Sequence, residues 1–403
     1  MDIERRIIEK INGKTNEIIE LSQRLIQFKS INPPGNEEEI SNFLADKLRG
    51  LGFNVKQVEY AKGRPNIIAV MKGTTSEKKL LCYAHLDVVP PGDLSKWIVD
   101  PFEGKIIDDK IYGRGSQDHK FPIAPFIYAW KILDELKVKL KGDLILTFVV
   151  DEETGGFYGF KRLVEDGYFD DTDAMLYGGI GTLNSDSIII GCNGSRTYRI
   201  TVNGKGAHTA FLEEGVNAIV NAAKLIIKLQ HLADKVNVRK HPITGRARMS
   251  INLIEGGSKE NVVPDQCIIT IDRRVTPSED YNEVTSEILE ALKEAEQEIS
   301  NLKFKLEVID GMPPATSDPD SEIVKAIKYA AKKVAGKNLK TKGIPASSDY
   351  SWYVKRTNKP VAMYSMGNAP PLAHSPNEHA LISDLIDTTK VYALTMIKFL
   401  GLE

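Results

Sequence analysis

Strand-like apolar runs alternate with helical stretches through the first 190 residues of this 403-residue chain. Residues 78–85 and 143–150 have the length and apolar character of buried strands, and residues 121–136 between them are typical of a helix. A further strand-like run, residues 360–366, precedes a helical stretch near the C-terminus. Alternating strands and helices predict an α/β fold, in which a mostly parallel sheet carries helices on both faces.

The pattern changes between residues 193 and 308. Polar and apolar residues alternate around residue 200, which is typical of a strand with one exposed face, and residues 215–232 form an amphipathic helical pattern. Two helices on one face of an antiparallel sheet would make a separate α+β domain. We therefore expect a discontinuous domain, residues 1–192 and 309–403, interrupted by an inserted domain, residues 193–308.

The overall composition excludes several classes of protein. The formal net charge of −2 gives no sign of a nucleic-acid or anionic-membrane partner. No apolar stretch approaches the ~20 residues that span a bilayer, and the charged N-terminus lacks the apolar core of a signal peptide. These features predict a cytoplasmic protein. In its reducing compartment the three widely spaced cysteines are expected to be buried free thiols, with a single disulfide as the alternative.

Histidine and acidic side chains stand where the predicted strands and their loops end. In chain order they are His85, Asp87, Asp118, His119, Glu152, Glu153 and His374. Ligands of open α/β sheets bind outside the carboxyl ends of the strands, so we expect these side chains to converge on one crevice. Histidine and carboxylates are the usual ligands of catalytic zinc, and two metals ~3.5–4 Å apart need a carboxylate between them.

Neighbouring residues in this set suit different tasks. Asp87 lies two residues from His85 and could orient the ring of that histidine through its second nitrogen. Glu152 and Glu153 point in different directions, so one could bind metal while the other takes a proton from a metal-bound water. The alternative is that each is a hydrogen-bonded structural residue, or that the acids are a cluster favoured by a helix N-terminus.

Six motifs occur in the order that one known family shows. They are "HLDVVPPGD", "GRGSQD", "DEETGG", "GKGAHTA", "ENVVPDQCIITIDRR" and "AHSPNEHALI". With these motifs the chain resembles the co-catalytic zinc metallopeptidases, which include aminoacylase, acetylornithine deacetylase, succinyl-diaminopimelate desuccinylase, glutamate carboxypeptidase and carnosine dipeptidase. The resemblance covers nearly the whole chain, including the inserted domain. It implies a catalytic domain with a mostly parallel sheet and an inserted α+β dimerisation (lid) domain.

The resemblance also implies two zinc ions per subunit, for which cobalt or manganese could substitute. His85 would bind one zinc, and Glu153 and His374 would hold the other. Asp118 would bridge the two metals and would be joined to His119 by a cis peptide bond.

Other residues would act on the substrate, according to the same resemblance. Glu152 would be the general base that activates the bridging water. His208, in the inserted domain, would reach the active site of the partner subunit and stabilise the oxyanion. Arg274, with Asn261 nearby, would bind the substrate's carboxylate. The inserted domain, residues 193–308, would carry the interface of a homodimer.

One position departs from the family. The remaining zinc ligand of the family is an acid that follows the next strand, and Gly179 stands in its place here. Three explanations stay open. Asp173, Asp186 or His119 could compensate; the protein could bind only one metal tightly; or the chain could be a degenerate relative that binds ligands without hydrolysing them.

The sequence thus predicts a metal-dependent hydrolase that uses a zinc-activated water. Its substrate would be an N-acyl amino acid, as for acetylornithine deacetylase or succinyl-diaminopimelate desuccinylase, or a short peptide with a free carboxylate, as for a carboxypeptidase or dipeptidase. The alternative is a non-catalytic dimer that binds amino-acid-like ligands. The chain lacks the P-loop, the dinucleotide-binding fingerprint and the GxSxG elbow of serine hydrolases.

Overall fold

The computed structural model describes residues 3–180 and 186–403. In this part of the chain the α-helices are α1 (Ile3–Asn12), α2 (Thr15–Gln27), α3 (Glu38–Gly50), α4 (Ile123–Glu135), α5 (Phe160–Glu165), α6 (Ala218–Asn237), α7 (Tyr281–Glu298), α8 (Glu322–Ala335), α9 (Tyr350–Thr357) and α10 (Ile382–Leu400). The strands are β1 (Asn54–Glu59), β2 (Pro65–Met71), β3 (Lys79–His85), β4 (Ile106–Ile107), β5 (Lys110–Tyr112), β6 (Asp143–Val149), β7 (Ala174–Gly178), β8 (Ser187–Cys192), β9 (Gly194–Asn203), β10 (Ala207–His208), β11 (Lys240–His241), β12 (Gly245–Arg246), β13 (Arg248–Gly256), β14 (Val262–Val263), β15 (Gln266–Val275), β16 (Lys303–Met312), β17 (Ala315–Thr316), β18 (Lys340–Ile344), β19 (Val361–Tyr364) and β20 (His379–Leu381).

The chain divides into two compact units. The first unit consists of Met1–Ile190, Ser317–Lys342 and Trp352–Glu403, and the second of Gly191–Thr316 and Gly343–Ser351. The second unit contains all of the range 193–308 that the sequence marks as an insertion, and it also takes in residues 343–351.

A long sheet forms the centre of the first unit, with the strand order β1-β2-β6-β3-β7-β19-β8. The four central strands, β6, β3, β7 and β19, run parallel to one another, whereas the flanking pairings are antiparallel. The predicted α/β fold is therefore confirmed. Because the central strands are parallel, their carboxyl ends lie along one edge of the sheet, where the following loops meet.

Helices cover both faces of this sheet. Tyr83 packs edge-on against Phe160 of α5, with ring centroids 4.8 Å apart. The neighbouring Cys82 lies near Tyr392 of α10. Successive strand residues point to opposite faces, so α5 and α10 lie on opposite sides of β3. Helix α10 also packs against α4 and α8, and its apolar face is part of the core.

The second unit contains a four-stranded antiparallel sheet with the order β13-β15-β9-β16. Strand β15 shows why this sheet has one covered face, because every second residue from Cys267 to Val275 is buried and the residues between are partly exposed. Helices α6 and α7 pack on the covered face, where Leu225 and Ile288 join the same apolar core as Ile269. The predicted arrangement of two helices on one face of an antiparallel sheet is thus confirmed.

Across residues 3–180 and 186–403, none of the helices combines the length and the apolar character that crossing a bilayer requires.

Candidate active site

The loops at the carboxyl edge of the parallel strands bring the candidate side chains of the first unit together. His85 is the last residue of β3, Glu153 follows β6, and His374 follows β19. Asp118 lies in the turn segment between β5 and α4. Ligand atoms of His85, Asp118 and Glu153 all lie within 4.8 Å of one another. Side chains that are far apart in sequence thus share one point in space.

The Asp118 carboxylate faces both histidines. Its Oδ1 lies 3.2 Å from Nε2 of His85, and its Oδ2 lies 3.4 Å from Nε2 of His374. His374 Nε2 also lies 3.2 Å from the carboxylate of Glu153. A tetrahedral metal with ligands at about 2.0–2.1 Å holds its ligand atoms roughly 3.3 Å apart. Each of these three pairs of atoms is therefore spaced as two ligands of one metal would be. The peptide bond from Asp118 to His119 is cis, as expected.

Asp87 contacts both the ring of His85 and the turn Glu152–Thr154, called the acidic turn below. His85 Nδ1 lies 3.0 Å from the backbone carbonyl oxygen of Asp87 and 3.4 Å from its Oδ1. A proton on Nδ1 would be donated to Asp87, which would leave Nε2 able to bind a metal shared with Asp118. The Asp87 carboxylate is fully buried and accepts hydrogen bonds from the backbone N–H groups of Glu152 and Glu153.

Glu152 lies beside the cluster without being part of its tightest group. It begins a short 3-10 turn, Glu152–Thr154, and its Oε2 lies 3.8 Å from Nε2 of His85. Its side chain is 18% exposed, compared with 6% for Glu153. The two adjacent acids therefore occupy different environments, one more deeply buried against His374 and the other more open.

The ionisation of the cluster reflects an excess of negative charge. Hydrogen bonds to Asp118 and Glu153 raise the pKa of His374 to about 10. Burial would lower the pKa of His85, but its hydrogen bonds to Asp118 and Asp87 raise it well above the usual value. Burial raises the pKa of Glu153, which is the direction expected for an acid beside other acids. The site therefore favours bound positive charge, and its donor set suits a divalent metal.

A buried ion pair that the sequence reading missed holds the loop of Asp118. Arg114 and Glu378 are both buried and form this pair. The Glu378 carboxylate also accepts from the backbone N–H groups of Gly115, Gln117 and Asp118. Pairing of β5 with β20 brings the two segments side by side. The sequence signal for this pair was that Arg114 lies in the motif "GRGSQD" and Glu378 in the motif "AHSPNEHALI", although neither residue was given a role.

Gly179 leaves no room for a side chain. It follows the last residue of β7, and its N–H donates to the carbonyl oxygen of Tyr364 at 3.1 Å. A Cβ at this position would lie 2.5 Å from the backbone nitrogen of Ser365. Real Cβ atoms essentially never approach that closely, so the missing acid is excluded by the packing of β7 against the end of β19.

The three proposed replacements for that acid are occupied elsewhere. Asp173 lies at the amino end of β7, where it accepts from the backbone of Lys79. Asp186 accepts from Ser187 and is outside the ligand cluster found among the described residues. His119 Nδ1 accepts from the backbone N–H of His85, and its Nε2 donates to the carbonyl oxygen of Gly178. Both nitrogens of His119 are therefore engaged within the protein.

The predicted substrate residues lie in the second unit. His208 is exposed in β10, and its Nδ1 accepts from the backbone N–H of Ala210. Asn261 is next to it in space, because its carbonyl oxygen accepts from Thr209. Arg274 lies on the uncovered face of β15 and donates from Nε to Asp272 at 2.9 Å, the pairing expected of a structural arginine.

The sequence pattern of the peptidase family M20/M25/M40 matches residues 81–398. This match spans most of the chain and includes every candidate metal ligand. The chain belongs to this family. As a member of the M20 family it is a metal-binding hydrolase that acts on amide or peptide bonds, and the resemblance seen in the sequence is confirmed.

Relatives of known name extend over the whole chain. A succinyl-diaminopimelate desuccinylase of Ehrlichia canis is 29% identical over 96% of this chain and 99% of its own length. An N-formyl-4-amino-5-aminomethyl-2-methylpyrimidine deformylase of Halalkalibacterium halodurans is 27% identical over 97% and 96%. The crystal structure of an M20 metallo-carboxypeptidase of Sulfolobus solfataricus superposes with a TM-score of 0.79, at 20% identity over 95% of this chain and 99% of that one, which shows the shared fold.

Replacing Gly179 with Asp will destabilise the protein instead of completing a metal site, because the new Cβ would meet the backbone of Ser365. We expect a loss of about 1–3 kcal/mol in the free energy of unfolding, measured by denaturant titration. Gly50→Ala is the matched control, since a Cβ there meets nothing within 4 Å. A Gly179→Asp protein of normal stability and higher activity would contradict the packing argument.

Proposed function

We propose that this chain hydrolyses the amide bond of an N-acyl amino acid, or of a short peptide with a free carboxylate. The observation that carries the proposal is the Asp118 carboxylate, whose two oxygens face His85 and His374 separately, with Glu152 at the edge of the same cluster. This arrangement suits two divalent metals that share one carboxylate.

The protein's own residues would divide the work as follows. Divalent metal held by His85, Asp118, Glu153 and His374 would supply Lewis acidity for the scissile carbonyl and the attacking water. Glu152 takes the proton of that water at its carboxylate and delivers it to the leaving amine. Its partial exposure suits this role, because a base must reach both water and substrate.

Residues of the second unit would select the substrate. The Arg274 guanidinium donates to Asp272 and, from a second nitrogen, to Ser347 at 3.1 Å. We propose that it binds the substrate's carboxylate, for which its planar fork is suited. Asn261 is proposed to lie near Arg274 and the bound carboxylate, as the family resemblance implies. His208 is proposed to stabilise the oxyanion, as the family resemblance implies.

The relatives differ in the group that their names say they remove. One relative is named for removing a succinyl group and another for removing a formyl group. The structural neighbour is named a carboxypeptidase. We place N-acyl amino acids and short peptides together as the substrate class, because all of them present an amide bond beside a carboxylate.

A non-catalytic dimer that binds amino-acid-like ligands is the second candidate function. Gly179 favours it, because the His85 side of the cluster has one protein ligand fewer than the family's pattern. Glu152, however, lies at the edge of the cluster, 3.8 Å from His85 Nε2, where a hydrolase needs its base. We therefore rank the hydrolase first.

Replacing Glu152 with Gln tests the proposed base. We expect kcat on the best substrate from a panel of N-acetyl and N-succinyl amino acids and dipeptides to fall about 10²–10⁴-fold, because the amide cannot accept the proton. Metal binding should change little. Glu103→Gln, in an exposed loop, is the control. No turnover of any panel member by the unmodified protein, with added Zn²⁺, Co²⁺ or Mn²⁺, would refute the hydrolase.

We propose that the two metal positions differ in affinity. Asp118, Glu153 and His374 supply three side chains for one metal, whereas His85 and Asp118 supply two for the other. After dialysis, mass spectrometry should find about one zinc per chain, and titration should show a second site at least about 10-fold weaker. His374→Ala should abolish the tight site and His85→Ala only the weak one. Two equally tight zincs would contradict the proposal.

We also propose that the second unit forms a homodimer interface. Strand β13 is an edge strand that exposes Leu253 and Ile254, and α6 exposes Ile219, Val220 and Ile227. Apolar side chains on an open edge favour pairing with another chain.

The cytoplasmic location stays a prediction.

The double change Leu253→Lys and Ile254→Lys should convert the dimer into a monomer, because two charges would be buried at the interface. Light scattering should then give the mass of one 44.8-kDa chain instead of two. Ile98→Lys, at an exposed apolar residue of the first unit, should leave the dimer intact. A monomeric unmodified protein would show that this interface is not used.

A further inference from the structure

A second buried ion cluster lies behind the acidic turn, outside the metal ligands. Arg64, Glu37 and Asp151 are each at least nine-tenths buried. The Arg64 guanidinium donates to both oxygens of Glu37, at 2.9 and 2.6 Å, and from its remaining terminal nitrogen to Asp151 Oδ1 at 2.8 Å. Three separate chain segments are therefore tied together by one side chain.

Asp151 is the residue directly before Glu152 and Glu153. Its backbone is left-handed, with φ of 71°, which a non-glycine residue adopts only when its surroundings hold it there. Its carboxylate accepts from the Thr154 hydroxyl at 2.7 Å and from the backbone N–H of Tyr158 at 3.0 Å. These bonds, together with Arg64, fix the path of the chain through the acidic turn.

The same cluster reaches the residue that orients His85. Asn32 donates from Nδ2 to Asp87 at 2.8 Å and to the Thr154 hydroxyl at 3.0 Å. Asp87 in turn receives the backbone N–H groups of Glu152 and Glu153. The acidic turn is thus held on one side by Asp87 and on the other by Asp151.

The chain provides a specific place for the guanidinium. A Cβ on Gly35 would lie 2.3 Å from Arg64, so only glycine allows the arginine to pack there. The ring of Tyr158 covers the guanidinium at 5.8 Å. Burying an arginine with two carboxylates gives little net stability, because desolvation offsets most of the attraction. A contribution to stability alone does not account for this arrangement.

We propose that Arg64, braced by Glu37, is a positioning residue that sets Glu152 and Glu153 through Asp151. The inference rests on the proposed function, since it assumes that Glu152 is the base and Glu153 a metal ligand. Lysine cannot replace the arginine, because one ammonium cannot make the paired bonds to Glu37 and still reach Asp151 in the same plane.

The test compares two buried aspartates at opposite ends of one strand. Asp143 begins β6 and accepts from Lys72, from the Ser76 hydroxyl and from the backbone N–H of Gly73, whereas Asp151 follows the end of β6. Asp143→Asn and Asp151→Asn should both lower the Tm. Asp151→Asn and Arg64→Lys, as single variants, should each lower both kcat and zinc affinity by about 10- to 100-fold, with little change in KM. Asp143→Asn should lower neither.

Two further results decide the inference. The double variant of Arg64→Lys with Asp151→Asn should be no slower than the slower single variant, because both changes break the same contact. Equal kinetic losses in Asp143→Asn and Asp151→Asn, or normal kcat and zinc affinity in Arg64→Lys, would overturn it. If the unmodified protein hydrolyses nothing, the proposed function fails, and zinc affinity, measured by calorimetry, still tests the positioning role.

Discussion

Repulsion among carboxylates at one point is the constraint on which the rest of this site depends. Asp118 and Glu153 meet at the carboxyl edge of the sheet, with Glu152 beside them and Asp87 behind. Charges this close and this poorly hydrated cannot coexist without compensation. The histidines supply part of it, as the raised pKa of His374 shows, and a divalent metal would supply more. The acidic turn is therefore stable only when the positive charge of the histidines or of a metal offsets its carboxylates.

The arrangement of these charges is layered. Asp87 and Glu378 accept backbone N–H groups from the loops that carry Glu153 and Asp118. Those loops are also tied to buried arginines, to Arg114 through Glu378 and to Arg64 through Asp151. Neither arginine is one of the candidate metal ligands. Each therefore offsets negative charge without occupying the space in which metal and substrate would bind. Close packing of β7 against the end of β19 leaves no room for a side chain at Gly179, and under the proposed assignment this leaves the His85 metal position with one ligand fewer.

Much of the site was predictable because its residues stand at strand ends. The apolar runs 78–85 and 143–150 predict buried strands, and the structure has β3 and β6 there. The side chains that follow these parallel strands therefore meet at one edge of the sheet. The partners of the buried arginines were not predictable, although Arg114 lies inside the motif "GRGSQD". Arg64 contacts Glu37 across 27 positions and Asp151 across 87, and no local periodicity marks such a pair. The packing around Gly179 was equally hidden, because it depends on the distance between two strands.

The layering also bears on whether the chain is an enzyme or a binder. A base that must meet a water and then a leaving amine is sensitive to position, and a misplacement of about 1 Å can cost roughly 10²-fold in rate. Buried ion pairs add little stability over apolar packing, yet two of them stand directly behind the loops that carry Asp118 and Glu152. We propose that such pairs fix the positions of those loops, as hydrolysis requires.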